Sequence, residues 1–417
     1  MAQRLNRSIA QQLPQYNLSV QSPARDPLFT PRFLSVWLFQ FGTFFSAFQL
    51  LPVIPLRIVA LGGSKAAAGG FLFVYTIGSA FAAPVMGTIA DHIGRRRMLV
   101  IASILFIFFS LAYGIVPWLP VVLLIGVIHG AIWSSILSAA GAIMTDFIPP
   151  SRRSEGLAYW GIAPTAAIAV APAVGLYIHK AWGWFAVCAE IAILSACMAV
   201  WATSIPGGNA REENKGLPRM TELWDWTVVK ATLALTVASF GYGGITSYIA
   251  LLSQERHIYP ESLFFTVFCV TVIVVRIFTS RLGDRFGPKV LLYPAFIAMP
   301  LAFTVLAIAA NRPQMIVAAI LFGIGIGASF PAFMAFVVSN TDESRRARTF
   351  GSVIWAFDTG IGLGSLFIGA VSQRFDFKTA FLIAAGISCL AIPVFITTSR
   401  QLIRGTAVAD TTEHAGT

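Results

Sequence analysis

One loop occurs twice in this chain. Gly87-Thr88-Ile89-Ala90-Asp91-His92-Ile93-Gly94-Arg95-Arg96-Arg97 returns, degraded, as Ser280-Arg281-Leu282-Gly283-Asp284-Arg285-Phe286-Gly287-Pro288-Lys289. Asp91 and Asp284 stand 193 residues apart, and the same offset relates Gly94 to Gly287, Pro120 to Pro313, Gly130 to Gly323 and Arg152-Arg153 to Arg345-Arg346. Several landmarks sharing one offset make the chain two copies of one design in series. The period is too long for a solenoid repeat of a few dozen residues. In a membrane protein such a duplication points to two similar helical bundles with a substrate path between them.

The solvent for that design is a bilayer. Hydrophobic residues make up 57% of the chain and charged ones 11%, with a mean hydropathy of +0.76. Soluble domains carry about a quarter charged residues, so this chain lacks the polar surface to face water. Its charges sit in short loops between apolar runs of about 20 residues or more, long enough to cross as helices. The expected spans are 33–57, 67–90, 98–117, 119–145, 154–179 and 183–204, then 227–252, 261–282, 289–309, 313–338, 348–371 and 377–398. The fold class is therefore all-α, with twelve transmembrane helices in two pseudo-symmetric six-helix bundles. The domains expected are a tail at 1–30, a first bundle at 31–204, a linker at 205–226, a second bundle at 227–400 and a tail at 401–417. Residues 1–30 contain no apolar h-region of a signal peptide.

Lysine and arginine set the orientation. With the N-terminus in the cytoplasm, 21 of the 29 fall on the inner side and 7 on the outer, with Arg276 inside a span. The positive-inside rule places both termini in the cytoplasm. The formal charge of +11 is thus a topology signal and calls for no nucleic-acid partner. Cys188, Cys197, Cys269 and Cys389 all lie in apolar spans, with no disulfide framework or metal-ligand spacing.

With spans and loops in place, the motif Gly87…Asp91…Gly94-Arg95-Arg96 between spans two and three resembles the loop signature of the major facilitator superfamily, and the weaker second copy fits it too. Three segments further resemble the staphylopine-type metallophore exporters and their arabinose- and drug-efflux relatives. They are Pro149-Pro150-Ser151-Arg152-Arg153-Ser154-Glu155-Gly156 with Tyr159-Trp160-Gly161, Leu263-Phe264-Phe265-Thr266 with Arg276, and Phe357-Asp358-Thr359-Gly360-Ile361-Gly362-Leu363-Gly364. The resemblance implies that Asp91 meets the start of span eleven near Arg348, that Arg95 pairs with Asp146, and that these contacts gate the cytoplasmic side. Asp284, Arg285 and Gly287 would be the second-half counterparts. The sequence departs from the pattern at three points. His92 replaces a usual Arg or Lys, Gly126 replaces the Arg expected four residues before Gly130, and the span-five antiporter signature survives only as Ala171-Pro172-Ala173-Val174-Gly175.

From the residues themselves, Gly87 is expected to allow close helix approach and Gly94 a sharp turn. Pro172 is expected to bend span five, and Gly175 to pack closely. Ionisable groups inside spans are costly and are functional candidates. Asp358 falls near mid-membrane and Arg276 in the inner part of span eight, so an Asp358–Arg276 pair is expected, either as a proton site or as a structural ion pair. His129 is either a titrating site or a core histidine, and Glu190 reads as structural. Tyr75, Trp133, Trp160, Tyr242, Tyr248 and Trp355 are the aromatic candidates for contact with a bulky amphiphilic substrate.

These features describe a secondary transporter of the bacterial inner membrane, acting as a monomer on a small molecule. A proton-coupled exporter of a metallophore, sugar or drug leads. An importer of a carboxylate or sugar, or a non-transporting sensor, are the alternatives. The sequence offers no nucleophile–base pairing, metal cluster or phosphate-cradling loop, so neither an enzyme nor a cofactor is expected and the proton gradient supplies the energy. Orientation is directly testable. Cysteines introduced at Gly208 or Thr412 should react with an impermeant maleimide only from the cytoplasmic side, and one at Ser64 only from outside; the reverse pattern overturns the topology.

Overall fold

Each landmark of the repeat becomes the same kind of structural event in both halves. A computed structural model describes residues 26–207, 226–340 and 346–400; most of the first expected tail, all of the second and most of the linker lie outside the described residues. The first half comprises α1 (Pro31–Ala60), α2 (Lys65–Ile93), α3 (Arg95–Ile115), α4 (Leu119–Phe147), α5 (Arg153–Trp160, resuming as Ile162–Trp182 after Gly161) and α6 (Trp184–Ser204). The second comprises α7 (Trp226–Glu255), α8 (Leu263–Phe286), α9 (Lys289–Ile308), α10 (Arg312–Ser339), α11 (Arg346–Arg374) and α12 (Phe377–Cys389, running on to Arg400). Eleven of these have the length and apolarity to cross a membrane, and α8 adds the apolar stretch Leu263–Thr279.

The local chemistry explains where the helices begin. Gly94 and Gly287 have φ of +100° and +79°, so each turns the chain left-handed between two helices where a side chain would be strained. Pro120 and Pro313 sit in the first positions of α4 and α10, where a missing N–H costs nothing. Thr30, Ser64, Asn311 and Asp376 cap α1, α2, α10 and α12 by accepting a backbone N–H three residues on. Asp376 lies outside the spans, and the Thr379 amide holds its carboxyl below the usual range.

Packing repeats as well. In the first half α1 packs on α5, α2 on α4 and α3 on α6; in the second, α7 packs on α11, α8 on α10 and α9 on α12. Gly130 and Gly323 perform the same task. A Cβ on Gly130 would collide with the Tyr75 carbonyl, and one on Gly323 would lie 2.6 Å from Thr271 Cβ and 2.9 Å from the Phe268 carbonyl. Gly87, by contrast, is in ordinary contact: among the described residues its would-be Cβ comes no nearer than 3.8 Å to Ser138. The tight α2–α4 contact falls at Gly78 and Gly130, one face earlier along α2. Gly175 does pack closely, 2.7 Å from the Gln49 carbonyl of α1, and Pro172 lies inside α5 as expected.

The halves meet along α1–α7 and along two lateral seams, α2–α11 and α5–α8. The lateral seams are equivalents under the duplication, because α2 corresponds to α8 and α5 to α11. They are not packed alike. On α2–α11, Gly69 rests on the Ser365 backbone, Gly362 on Thr76 and Phe73, and Gly369 on the Tyr248 hydroxyl and the Lys65 carbonyl. The residues 193 positions away on the other seam are Ser262, Ala169 and Leu176. Side chains there hold the helices apart where glycines bring the first seam together.

At the Lys65 end both seams are bridged. Tyr248 Oη donates to the Lys65 carbonyl at 2.6 Å, Ser365 Oγ to the Gly69 carbonyl at 3.0 Å, and the Lys65 amide to Gln373 Oε1 at 2.8 Å. Lys65 Nζ also pairs with Glu255 at 2.5 Å, but Glu255 is half exposed and such pairs contribute about 0–1 kcal/mol. The buried hydroxyl bonds and glycine contacts therefore hold this seam. On the other seam Lys180 lies 5.7 Å above the Tyr259 ring.

Gly69→Leu should thus wedge α2 from α11 without unfolding either half. A cysteine at Gln373 should then react several-fold faster with an aqueous maleimide. Gly130→Leu, inside one bundle, should instead lower the melting temperature. Unaltered labelling in Gly69→Leu would show that these glycines do not set the closed seam.

Candidate functional site

The looser seam encloses a cavity. About 120 Å³ lies between Thr165 and Ile168 of α5, Tyr242 of α7, Phe268, Cys269, Val272 and Arg276 of α8, Ile326 and Phe330 of α10, and Phe357 of α11. One half contributes a single helix to the wall and the other contributes four. The aromatic part is continuous: Tyr242 packs on Phe268 and Phe357 with centroids 6.0 and 6.2 Å apart, and Phe330 lies 4.9 Å from Phe357. Phe357 is placed by its backbone, whose carbonyl accepts from Ser239 Oγ at 3.0 Å.

Arg276 is the charged member of this wall. Its Nη1 donates across the seam to the Gly161 carbonyl at 3.1 Å and to Thr165 Oγ1 at 2.6 Å. Gly161 is where α5 is interrupted, and its carbonyl also accepts from Thr165 Oγ1 at 3.0 Å. The expected Asp358–Arg276 ion pair is not formed. Arg276 reaches instead to neutral acceptors in the other half, its Nε has no partner, and among the described residues no carboxylate pairs with it. The reason is geometric. Arg276 faces the α5–α8 seam, whereas Asp358 lies one turn before Gly362, which rests on Thr76 and Phe73 of α2 at the opposite seam. Half-buried Asp358 makes no hydrogen bond among the described residues, and the buried Tyr75 hydroxyl also has no partner.

The other candidates disperse. His129 is buried inside the first half, with its ring 4.5 Å from Phe106, 5.2 Å from Phe109 and 5.1 Å from Tyr75. It is a core histidine in an aromatic layer and does not face the cavity. Trp133 lies in the same layer, edge-on to Phe44 at 4.9 Å. Trp160 is half-buried just before the α5 break. Tyr248 belongs to the Lys65 end, and Trp355 meets Phe81 at 6.5 Å across α2–α11. Only Arg276 and Tyr242 of the sequence candidates reach the cavity. Thr165 was missed although a signal existed: it stands 193 residues before Asp358, at the same position of the duplicated helix. Phe330 and Phe357 gave no signal, because aromatics in apolar helices are commonplace.

In the repeated loop, Arg95 Nε bonds Asp91 at 2.8 Å and Arg95 Nη1 bonds Asp146 at 2.9 Å. This joins the ends of α2, α3 and α4 within one half. The side chains at the start of α11, where the resemblance places the contact of Asp91, lie outside the described residues; among those described, Asp91 pairs with Arg95. Arg96 is exposed. The second half lacks the clamp, with Pro288 and Ser339 at the positions of Arg95 and Asp146. Arg285 lies over the Phe286 ring at 5.2 Å, and the side chain of Asp284 lies outside the described residues. Nearby, the hydrogen bonds that Arg152 donates to Glu155 raise its guanidinium pKa.

Comparison with known proteins agrees with this architecture. Multidrug resistance protein MdtG of Escherichia coli is 24% identical over 369 residues, 82% of this chain and 88% of its own. The solved nucleoside transporter NupG superposes with a TM-score of 0.70 at 16% identity, covering 88% of this chain and 99% of that one. A bacterial homologue of the human lysosomal transporter Spinster gives 0.66 at 15% identity, covering 92% and 98%. At such identities the structural likenesses speak for the fold alone. The family model of the Major Facilitator Superfamily matches residues 36–260 and 231–410. Duplicated halves, paired seams and a cavity between them thus have one source: the chain is a transporter of the Major Facilitator Superfamily.

Proposed function

We infer that this transporter is a proton-coupled exporter of small organic molecules, working by alternating access. The observation that carries the reading is the cavity between the halves at the α5–α8 seam, the seam that lacks the close glycine contacts of its counterpart and is joined at the Lys65 end by a cation over a ring. The direction is supported by the likeness to MdtG along most of both chains, since that protein is a multidrug resistance protein. The charge asymmetry supports placing the Arg95 end in the cytoplasm and the Lys65 end outside.

A gradient-driven carrier needs a group that binds a proton within reach of both states. Asp358 is that group in our reading. It sits about a dozen residues into α11, near mid-membrane at about 1.5 Å per residue, one turn before Gly362 on the face that meets Thr76 and Phe73 of α2. A proton bound at Asp358 would link titration to the α2–α11 seam.

In proteoliposomes with an imposed pH gradient, the wild type should accumulate substrate on the side toward which export points. Asp358→Asn, which mimics a permanently protonated carboxyl, should reduce accumulation to the passive level while leaving substrate exchange across equal pH intact. Accumulation in the importing direction would sink the exporter reading. Undiminished accumulation by Asp358→Asn would remove this residue from the coupling.

A further inference from the structure

A part-buried guanidinium in a membrane protein, with no carboxylate bonded to it among the described residues, is an unbalanced charge, and Arg276 is that case. Its bonds go to two neutral oxygens, its Nε is bare, and it lies on the wall of an otherwise apolar and aromatic cavity. Burying an unpaired charge is costly, and nothing in the duplication demands it: the equivalent position in the first half is Ala83. A position that is small and apolar in one copy and cationic in the other was not set by the shared packing.

We propose that Arg276 receives the anionic group of the transported molecule, an organic anion with a carboxylate or phosphate at one end and a planar apolar body at the other. The cavity supplies both parts of that recognition. Phe268, Phe330 and Phe357 with Tyr242 form the flat surfaces that stack on an apolar body. The guanidinium presents a planar fork that matches an oxyanion in two-point geometry. Chloride would satisfy the charge but not the aromatic wall.

The same geometry links binding to movement. Arg276 Nη1 is the hydrogen-bonding bridge from α8 to α5, and it lands at the break at Gly161. An anion that engages the fork competes with the Gly161 carbonyl and Thr165 Oγ1. Bound substrate therefore releases α5 from α8, and the empty transporter re-forms the bridge. Occupancy loosens the one seam that glycines do not hold. This proposal rests on the reading of the chain as a carrier of small organic molecules, and it names the charge of what is carried.

The test uses purified full-length protein and two probes of one shape, radiolabelled naphthoate and its neutral amide, by equilibrium dialysis. The wild type should bind naphthoate and discriminate against the amide. Arg276→Gln should weaken naphthoate by about tenfold or more, the worth of charge-assisted hydrogen bonds, and leave the weak binding of the amide unchanged. Thr165→Val, nearly the same shape, keeps the cation and removes its competitor, so naphthoate should bind several-fold tighter. That second variant also keeps the proposal testable if Arg276→Gln folds poorly. Equal affinity of the wild type for naphthoate and amide overturns the proposal, as does an affinity indifferent to both substitutions. Anion-selective binding without gradient-driven movement of naphthoate would defeat the exporter reading while leaving the Arg276 site standing.

Discussion

Inside a bilayer, lipid competes with a neighbouring helix for every apolar side chain, so apolarity alone gives two helices no reason to associate. What remains is close approach of backbones and hydrogen bonds between them. In this transporter the close approaches fall at glycines, and the rest of the architecture follows from where they lie. Gly130 and Gly323 build the two halves in the same way. Gly69, Gly362 and Gly369 then seal one lateral seam between the halves, where Ser262, Ala169 and Leu176 leave its counterpart looser. A duplicated chain thereby acquires a closed seam and a seam with a cavity.

The charges divide along the same line. The α5–α8 seam holds Arg276, bonded to neutral oxygens of the other half. The α2–α11 seam holds Asp358, one turn before the glycine that rests on Thr76 and Phe73. Had the two been a pair, as sequence proximity to mid-membrane suggests, each would have cancelled the other. Kept on separate seams, neither charge neutralises the other. Cations at the Lys65 end have structural work instead. Arg256 caps the end of α9 through the carbonyls of Leu306, Ala307 and Ala309, at 2.8, 2.9 and 2.6 Å, where the helix dipole favours positive charge.

Arg95 shows how one motif serves different scales. It clamps Asp91 and Asp146, at 2.8 and 2.9 Å, within the first half. Pro288 and Ser339 stand at the corresponding positions of the second half, so that half cannot repeat this pair of bonds.

The sequence by itself determined the spans, the duplication, the helix starts at Pro120 and Pro313 and the turns at Gly94 and Gly287, because those depend on hydropathy and on local backbone geometry. It also marked Arg276 and Asp358, because a charge within an apolar run is conspicuous however the chain folds. Tertiary structure decided which partner each charge takes, that His129 is packed among aromatic rings, and that Tyr248 bonds the Lys65 carbonyl far from the cavity. It likewise chose Gly78 and Gly130 over Gly87 as the point of closest α2–α4 approach. Those outcomes turn on the rotation of each helix about its axis against its neighbours. In an apolar helix that is hydrophobic on nearly every face, no periodic pattern records that rotation.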